Sequence, residues 1–280
     1  MDSDKTIRER YDEVSPRYDG DEPADPRHRL YWLAYDHLTF HAVEALLPPA
    51  GTPFRILDAG GGGGKYGVRM AELGHHVTVL DISPGMLEKA RALFTKKALL
   101  DHASFAVGSV ASLPLADASF DLVFCEGDPV SYCLDEYPRA IAELTRVVVP
   151  GGPVILGVDN RFDYFTGLLR SPRKAEALSV LLEGRSTCPY GLPVHTFTIA
   201  ELEKAVTAAG AEVVEIFGKP VLFWELLAAL QIERGPSFDA WESRAEILAL
   251  QERLAHEGYA VLGGHLQVMA RRLPASQQGA

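Results

Sequence analysis

Apolar runs alternate with helix-like segments from about residue 54 onward, and this alternation is the strongest constraint on the fold. The run FRIL at 54–57 enters a glycine-rich turn, and the helix-like segment after the turn closes at Gly74. The run HVTVL at 76–80 ends at Asp81, and Ser83 then caps a helix that begins with proline. Near-continuous apolar strands are typical of a parallel sheet covered by helices on both faces. The sequence therefore predicts an α/β fold.

Further runs continue the same alternation: SFAVG, FDLVF, PVILGVD, AEVVEIFG and HLQVMARRL. A helix is predicted from about Glu136 to Val148, where PGG stops it, and another opens at Thr198 and ends at Gly210. The last two runs alternate apolar with polar residues more strongly, as the strands of an edge hairpin do. The chain is thus expected to form seven strands.

Charge and composition argue against several classes of function. The chain of 280 residues has 27 Lys and Arg against 38 Asp and Glu, and its net charge of −11 repels phosphate backbones, so no nucleic-acid partner is predicted. No apolar run is long enough to span a bilayer and the N-terminus is charged, which predicts a cytoplasmic protein without a membrane span or secretory signal. Cys125, Cys133 and Cys188 form no CxxC pair, so neither a disulfide framework nor a metal site is expected.

The glycine run at 60–64 is compatible with more than one nucleotide-binding loop. A phosphate-binding P-loop requires a glycine where this chain has Ala59 and a Ser or Thr where it has Tyr66, so that interpretation fails at both ends. A dinucleotide GxGxxG pattern is met only from the third glycine onward, at Gly62, Gly64 and Gly67.

A third pattern, Asp-x-Gly-x-Gly-x-Gly, lies in phase with the end of the first strand. Asp58, Gly60, Gly62 and Gly64 satisfy it. With this pattern, four segments in order resemble the motifs of the class I S-adenosylmethionine (SAM)-dependent methyltransferases: RILDAGGGGG, VTVLDISPGML, VGSVASLPLADASFDLVFCEG and ELTRVVVPGG. The similarity covers about residues 54–159.

The resemblance implies a Rossmann-like seven-stranded, mostly parallel sheet with helices on both faces. SAM is then expected across the carboxyl ends of strands one to four. Outside this SAM-binding core, assigned to 51–160, we expect a helical cap from the N-terminus and from insertions. The expected divisions are a cap at 1–50, a cap insertion at 161–197, the rest of the core at 198–273 with a helical insertion at 219–264, and a disordered tail at 274–280.

The resemblance also implies roles for residues of the first two motifs. Gly60 and Gly62 allow the methionyl part of SAM to approach the backbone closely, since a Cβ would hold it off. Asp58 holds the amino end of the ligand through water or backbone, or instead braces the turn. Asp81, at the tip of the second strand, accepts hydrogen bonds from both ribose hydroxyls.

The adenine and methionyl contacts are implied by the later motifs. Ile82 and Met86 are expected against the adenine faces, although Met86 also suits packing of its helix on the sheet. Relatives usually carry an acid after the motif glycine, where this chain has Ser109; its hydroxyl and the backbone of Val110 are kept as adenine contacts. Two residues after the fourth strand, Glu126 and Gly127, are expected to line the methionyl pocket.

The N-terminal segment RYDEVSPRYDG resembles the helix that many small-molecule methyltransferases fold over SAM. Tyr11 and Tyr18 are therefore candidate cofactor contacts, with core packing as the alternative. The insertions are rich in aromatic residues, which fits an apolar acceptor pocket or, equally, internal packing or a dimer interface. Either a monomer or a homodimer is compatible with the sequence.

Methyl transfer from a sulfonium requires alignment more than a fixed catalytic triad, and a base matters only when the acceptor must lose a proton. His195, before the helix at Thr198, is the candidate base, while a capping or surface role is the alternative. Asp128 and Tyr132 follow the fourth strand, which faces the acceptor in many relatives. We expect a methyltransferase acting on a small molecule at N, O or C. The alternatives are a protein- or tRNA-directed methyltransferase, a SAM-binding module without turnover, and a dinucleotide-dependent oxidoreductase.

Overall fold

The computed structural model describes residues 3–17, 25–49, 51–274 and 276, and its centre is a twisted sheet. The strands are β1 (Arg55–Ala59), β2 (His76–Asp81), β3 (Ala103–Val107), β4 (Leu122–Cys125), β5 (Pro153–Asp159), β6 (Arg185–Thr187), β7 (Pro193–His195), β8 (Ala211–Val221) and β9 (Gly263–Arg272). Within the described ranges, seven of them form one sheet in the order β3-β2-β1-β4-β5-β9-β8. β6 and β7 form a separate antiparallel pair.

Strand direction agrees with the predicted mostly parallel sheet. β1 to β5 pair in parallel, and β9 runs antiparallel to both β5 and β8. The seven-stranded α/β fold is therefore confirmed. The last two strands do pair with each other, but they are not an edge hairpin, because β9 is inserted between β5 and β8 and only β8 lies at the edge.

Helices cover both faces of the sheet and fill the insertions. They are α1 (Ser3–Val14), α2 (Pro26–Glu44), α3 (Lys65–Glu72), α4 (Pro84–Lys96), α5 (Pro129–Tyr132), α6 (Tyr137–Val147), α7 (Arg161–Leu169), α8 (Ala177–Glu183), α9 (Ile199–Ala208), α10 (Phe223–Arg234) and α11 (Arg244–His256). Among the described residues, no helix combines the length and apolar character needed to cross a bilayer.

The core has two layers because strand side chains alternate between faces. Ile56 packs with residues of α2, α3 and α4, whereas its neighbour Leu57 packs with residues of α6 and α9. Val123 and Phe124 of β4 divide in the same way. The near-continuous apolar strands of the sequence are thus explained by burial on both sides.

Local capping follows the sequence closely around the first two crossovers. The Ser83 hydroxyl accepts a hydrogen bond from the Met86 backbone N–H at 3.1 Å, as predicted for the start of α4. Thr198 accepts from the Glu201 backbone N–H at 3.2 Å and starts α9. Gly64, at φ +80°, precedes α3 in a conformation that favours glycine.

A buried ion pair joins the two halves of the sheet. Lys219 of β8 lies 2.8 Å from the carboxylate of Glu126, which follows β4, and both side chains are almost fully buried. The Lys219 ammonium also donates to Thr39 and Gln267, and the Tyr35 hydroxyl donates to Glu126. Every charge in this network is therefore compensated by side chains rather than by water.

We expect Lys219→Met to be strongly destabilising, since it leaves the Glu126 charge buried without its cation. The free energy of unfolding, measured by urea titration at pH 7, should fall by about 3–5 kcal/mol. The double variant Glu126→Gln/Lys219→Met removes both charges and should lose less. Arg234→Met, which breaks an exposed pair with Glu246, is the matched control, with an expected loss of at most about 1 kcal/mol. If Lys219→Met were as stable as the double variant, the compensation of the Glu126 charge by Lys219 would be contradicted.

Candidate active site

The glycine loop after β1 takes a backbone path that other residues adopt at a cost. Gly60 and Gly62 have φ values of +70° and +52°, and the N–H groups of Gly60 and Gly61 both donate to the Leu80 carbonyl, at 2.7 and 3.1 Å. A Cβ added to Gly60 would lie 2.2 Å from Cγ of Pro129, which follows β4. The loop is thus packed directly against the segment after β4, and glycine is needed for that approach.

Asp81 connects the glycine loop to the start of α4. Its carboxylate accepts from the Gly62 N–H through one oxygen and from the Ser83 N–H through the other, both at 2.9 Å. The side chain is 8% exposed, and burial raises the pKa of Asp81 to about 6 in spite of these bonds. The carboxylate stands at the carboxyl end of β2, where the ribose contact is expected, and that contact stays a prediction.

Asp58 lies beneath the glycine loop. Its Oδ2 atom is within 3 Å of the positions that a Cβ would take on Gly61 and Gly67, at 2.7 and 2.9 Å, and no hydrogen-bond partner for this oxygen occurs among the described residues. Burial raises the pKa of Asp58 to about 7, and the charges of Asp81 and Glu126 add to the shift. The position suits bracing of the turn, which the sequence left as the alternative to holding the ligand's amino end.

The N-terminal helix α1 lies over the carboxyl edge of the sheet. The Tyr11 hydroxyl donates to the Tyr132 hydroxyl at 2.9 Å, and the two rings meet edge to face. Asp12 accepts from the Ser83 hydroxyl and from the Gly85 N–H. Tyr18, the second tyrosine predicted to contact cofactor, lies outside the described residues.

The adenine side of the predicted crevice contains a small cavity. It has a volume of about 220 Å³ and is lined by residues of α1 and of the segments after β2 and β3: Asp4, Lys5, Arg8, Ile82, Val107, Gly108 and Ser109. Ile82 and Ser109 therefore line the same cavity, and their contacts with adenine stay predictions. Met86 is 1% exposed and Val110 is 6% exposed, so these two side chains pack in the interior. For Met86 this is the packing alternative, and for Val110 only the backbone is available.

The position of Glu126 corrects one expectation. Its carboxylate is turned into the protein, where it pairs with Lys219 and occupies the space left by Gly157 of β5; a Cβ there would lie 2.1 Å from Oε1. This side chain is therefore not available to line the methionyl pocket. Gly127, at φ +79°, has no heavy atom within 4 Å of the position of an added Cβ, so it borders open space.

Three ionisable side chains meet at the end of the crevice beyond Gly127. Asp128 Oδ1 lies 3.1 Å from His265 Nδ1, and one oxygen of Asp159 completes a group whose atoms lie within 4.8 Å of one another. Strand register explains the meeting, because His265 is opposite Asp159 of β5 and opposite Lys219 of β8. Directly paired residues in antiparallel strands present their side chains on the same face.

The protonation of this cluster is shifted by burial and by mutual interaction. Burial, followed by the Asp128 charge, raises the pKa of Asp159 to about 8. Burial alone would lower the pKa of His265, but Asp128 and Asp159 outweigh it and raise that pKa to about 9. At neutral pH the Asp159 carboxyl and the His265 imidazole therefore keep protons that the same groups would mostly lose in water.

His195, the predicted base, lies apart from this cluster. Its Nε2 is 2.8 Å from Glu201 Oε1, and its ring stacks on Tyr137 and contacts Phe197. Its neighbour Val194 packs in the cluster with Tyr132, so alternation along β7 turns His195 the other way. His195 thus has a structural environment. Tyr132, also a candidate, has its hydroxyl engaged by Tyr11 and directed at Cys188, and burial raises its pKa well above the usual range.

Sequence reasoning missed His265, although one signal was present. His265 follows two consecutive glycines at the start of β9. A Cβ on Gly263 would lie 2.5 Å from the Gly218 Cα, and one on Gly264 would lie 2.6 Å from the Tyr31 hydroxyl. The strand therefore begins in close contact with β8 and α2, which places the histidine beside them.

Comparison with known proteins identifies relatives of the central region. Residues 56–152 match the family model described as a methyltransferase domain. The malonyl-[acyl-carrier protein] O-methyltransferase of Erwinia pyrifoliae is 33% identical over 196 residues, which cover 69% of this chain and 66% of that protein. The demethylmenaquinone methyltransferase of Deinococcus radiodurans is 31% identical over 160 residues, covering 56% and 61%. In the first of the curated relatives the matched segment spans only 36% of the protein's length.

Solved structures show the same fold over nearly the whole chain. One of them is the magnesium protoporphyrin IX methyltransferase of Synechocystis PCC 6803, determined with bound S-adenosylhomocysteine. It aligns with a TM-score of 0.63 at 15% sequence identity, and the alignment covers 97% of this chain and 100% of the Synechocystis chain. At this identity the likeness concerns the fold alone.

We expect Asp58 to make the protein less stable as pH rises. Because its folded-state pKa of about 7 exceeds the ordinary 3.8, its contribution to stability is present below about pH 4 and is lost as pH rises through about 7. The free energy of unfolding of the wild type should therefore fall between pH 5 and pH 8. In Asp58→Asn, which cannot ionise at this position, that fall should be smaller by about 2–3 kcal/mol. Urea titrations at both pH values measure it, with the exposed Asp101→Asn as control. If Asp58→Asn had the same pH dependence of stability as the wild type, the raised pKa of Asp58 would be refuted.

Proposed function

We propose that this chain, which belongs to the class I S-adenosylmethionine-dependent methyltransferase family, transfers a methyl group from SAM to a small-molecule acceptor. One observation carries the proposal. The glycine loop and the ionisable cluster adjoin at the same edge of the sheet, because Pro129 packs on Gly60 and the next residue back is Asp128. A cofactor beside the loop therefore has its reactive end directed toward a group of proton-carrying side chains.

The residues at this edge fit the cofactor. Gly127 borders open space next to the glycine loop, and the Asp81 carboxylate retains lone pairs for the sugar hydroxyls. Ile82 and Ser109 line the cavity on the adenine side. The sulfonium of SAM carries a positive charge, which favours binding at an edge of the sheet where several carboxylates lie.

The chemistry requires little from the protein beyond position and exclusion of water. When bound, SAM supplies an electrophilic methyl group whose sulfur becomes neutral on transfer. The glycine loop and Asp81 would hold the donor, and the segment after β4 would set the direction of approach. Tyr11 and Tyr132 bond to each other above this edge, which limits the entry of water from that side.

Small-molecule specificity is supported by relatives and by charge. The Deinococcus relative is named for demethylmenaquinone, a small molecule, and the Erwinia relative for a malonyl group on a carrier protein. The net charge of −11 disfavours a tRNA acceptor. A protein-bound acceptor is the second candidate, favoured by the relatives from Erwinia, Serratia and Pectobacterium that are named for a malonyl group on a carrier protein. The dinucleotide alternative is less well supported because its pattern begins at Gly62, whereas the turn that directly follows β1 begins at Gly60.

Calorimetry with purified protein should detect binding of S-adenosylhomocysteine and no binding of NAD. Asp81→Asn should weaken the affinity by about tenfold or more, because a hydrogen bond to a charged group contributes roughly 1.5–3 kcal/mol. Asp101→Asn is the matched control and should bind normally. Labelled SAM incubated with a metabolite extract should then yield a labelled small molecule. Binding of NAD in place of S-adenosylhomocysteine, or label found only in protein, would refute the proposal.

A further inference from the structure

His265 combines one tethered ring nitrogen with one available ring nitrogen. Nδ1 is 3.1 Å from Asp128 Oδ1, whereas no hydrogen bond to Nε2 occurs within the described part of the chain. The side chain keeps 17% of its surface exposed. Its ring is fixed edge to face against Tyr35 at 5.0 Å between centroids. An orienting carboxylate on Nδ1 and a free Nε2 are the arrangement of an imidazole that accepts a proton.

We infer that His265 is the general base of this site, oriented by Asp128, and that the acceptor carries a proton on the atom to be methylated. The inference rests on the proposed methyltransferase function and names its substrate class. That class comprises hydroxyl groups, carbon acids and protonated amines. Carboxylates fall outside it because they have no proton to lose.

The reaction balances without any further reagent. Nε2 takes the proton from the acceptor atom, and the electron pair left on that atom forms the new bond to the methyl carbon. The bond between methyl and sulfur breaks, and its electron pair stays on sulfur, which becomes neutral. His265 ends as an imidazolium beside the Asp128 carboxylate, and solvent removes the proton before the next turnover.

The groups around His265 determine its pH dependence. Asp128 faces it from the segment between β4 and α5, and Asp159 faces it from the end of β5. Asp163 of α7, Lys219 of β8 and Tyr35 of α2 also face it. Tyr164 of α7 bonds to Asp159. The acids outweigh burial and Lys219, and the pKa of His265 is raised to about 9. A base acts when it is neutral, so the rate should rise with pH up to about 9.

Competing bases at this edge are less suitable. Asp159 is 4% exposed and bonded by Tyr164, so it is not accessible to an acceptor. The Tyr132 hydroxyl is engaged by Tyr11, and its pKa is raised well above the usual range by burial. His195 pairs with Glu201 on the other side of β7.

The test measures initial rates with the acceptor fraction that wild-type protein labels from labelled SAM in a metabolite extract. His265→Gln should lower kcat by about 100-fold or more, with affinity for S-adenosylhomocysteine unchanged within about twofold. Asp128→Asn removes the charge that raises the His265 pKa, so the rising part of its pH–rate profile should move to lower pH while its plateau falls. His256→Gln is the matched control, since His256 also has Nδ1 paired with a carboxylate, Glu215, at 2.6 Å, on the surface.

Nitrogen-detected NMR of wild-type histidines supplies a readout independent of folding of the variants. His265 should titrate near pH 9 with a proton kept on Nδ1. Full activity of His265→Gln, a pH profile of Asp128→Asn identical to wild type, or activity abolished by EDTA and restored by Mg²⁺ would overturn the assignment. Binding of S-adenosylhomocysteine without any labelled product would instead remove the methyltransferase proposal, and this inference with it.

Discussion

A buried ammonium group organises the acceptor end of this protein. Lys219 has no exposed surface, so its lost hydration must be replaced by protein groups. The replacement comes from Glu126 after β4, Thr39 of α2 and Gln267 of β9, with the Tyr35 ring 4.4 Å away. The row of β9 residues that includes His265 is thereby held in register beside Asp128.

The two ends of the crevice are built in different ways. The cofactor end is local: Asp58, the glycine loop and Asp81 come from one strand–helix–strand unit, and backbone N–H groups supply most of its bonds. The acceptor end is assembled from segments more than 100 residues apart, since Asp128 meets His265 at a sequence separation of 137. Its geometry therefore depends on sheet register and on the buried pair rather than on a motif.

This difference explains what could be predicted from the sequence. The strands, the caps at Ser83 and Thr198 and the position of Asp81 follow from local patterns, which periodicity and capping rules describe. The meeting of His265 with Asp128 and Asp159 could not be predicted, because only the pairing of β9 between β5 and β8 places this histidine beside them. Glu126 was misjudged for the same reason. Nothing near it in the chain indicates a lysine 93 positions later, 219 − 126.

The accumulation of carboxyl groups at one edge has a consequence for ligand charge. The pKa values of Asp58, Asp81 and Asp159 are raised to about 7, 6 and 8, chiefly because burial disfavours their ionised forms. A cation bound at this edge offsets that cost and lowers each pKa. By linkage, ionisation of these three carboxyl groups strengthens binding of the cation. The affinity for the cation therefore increases as pH rises through the three pKa values. If SAM binds here as proposed, its positive charge would be lost on transfer, so this edge would bind the donor more tightly than the product.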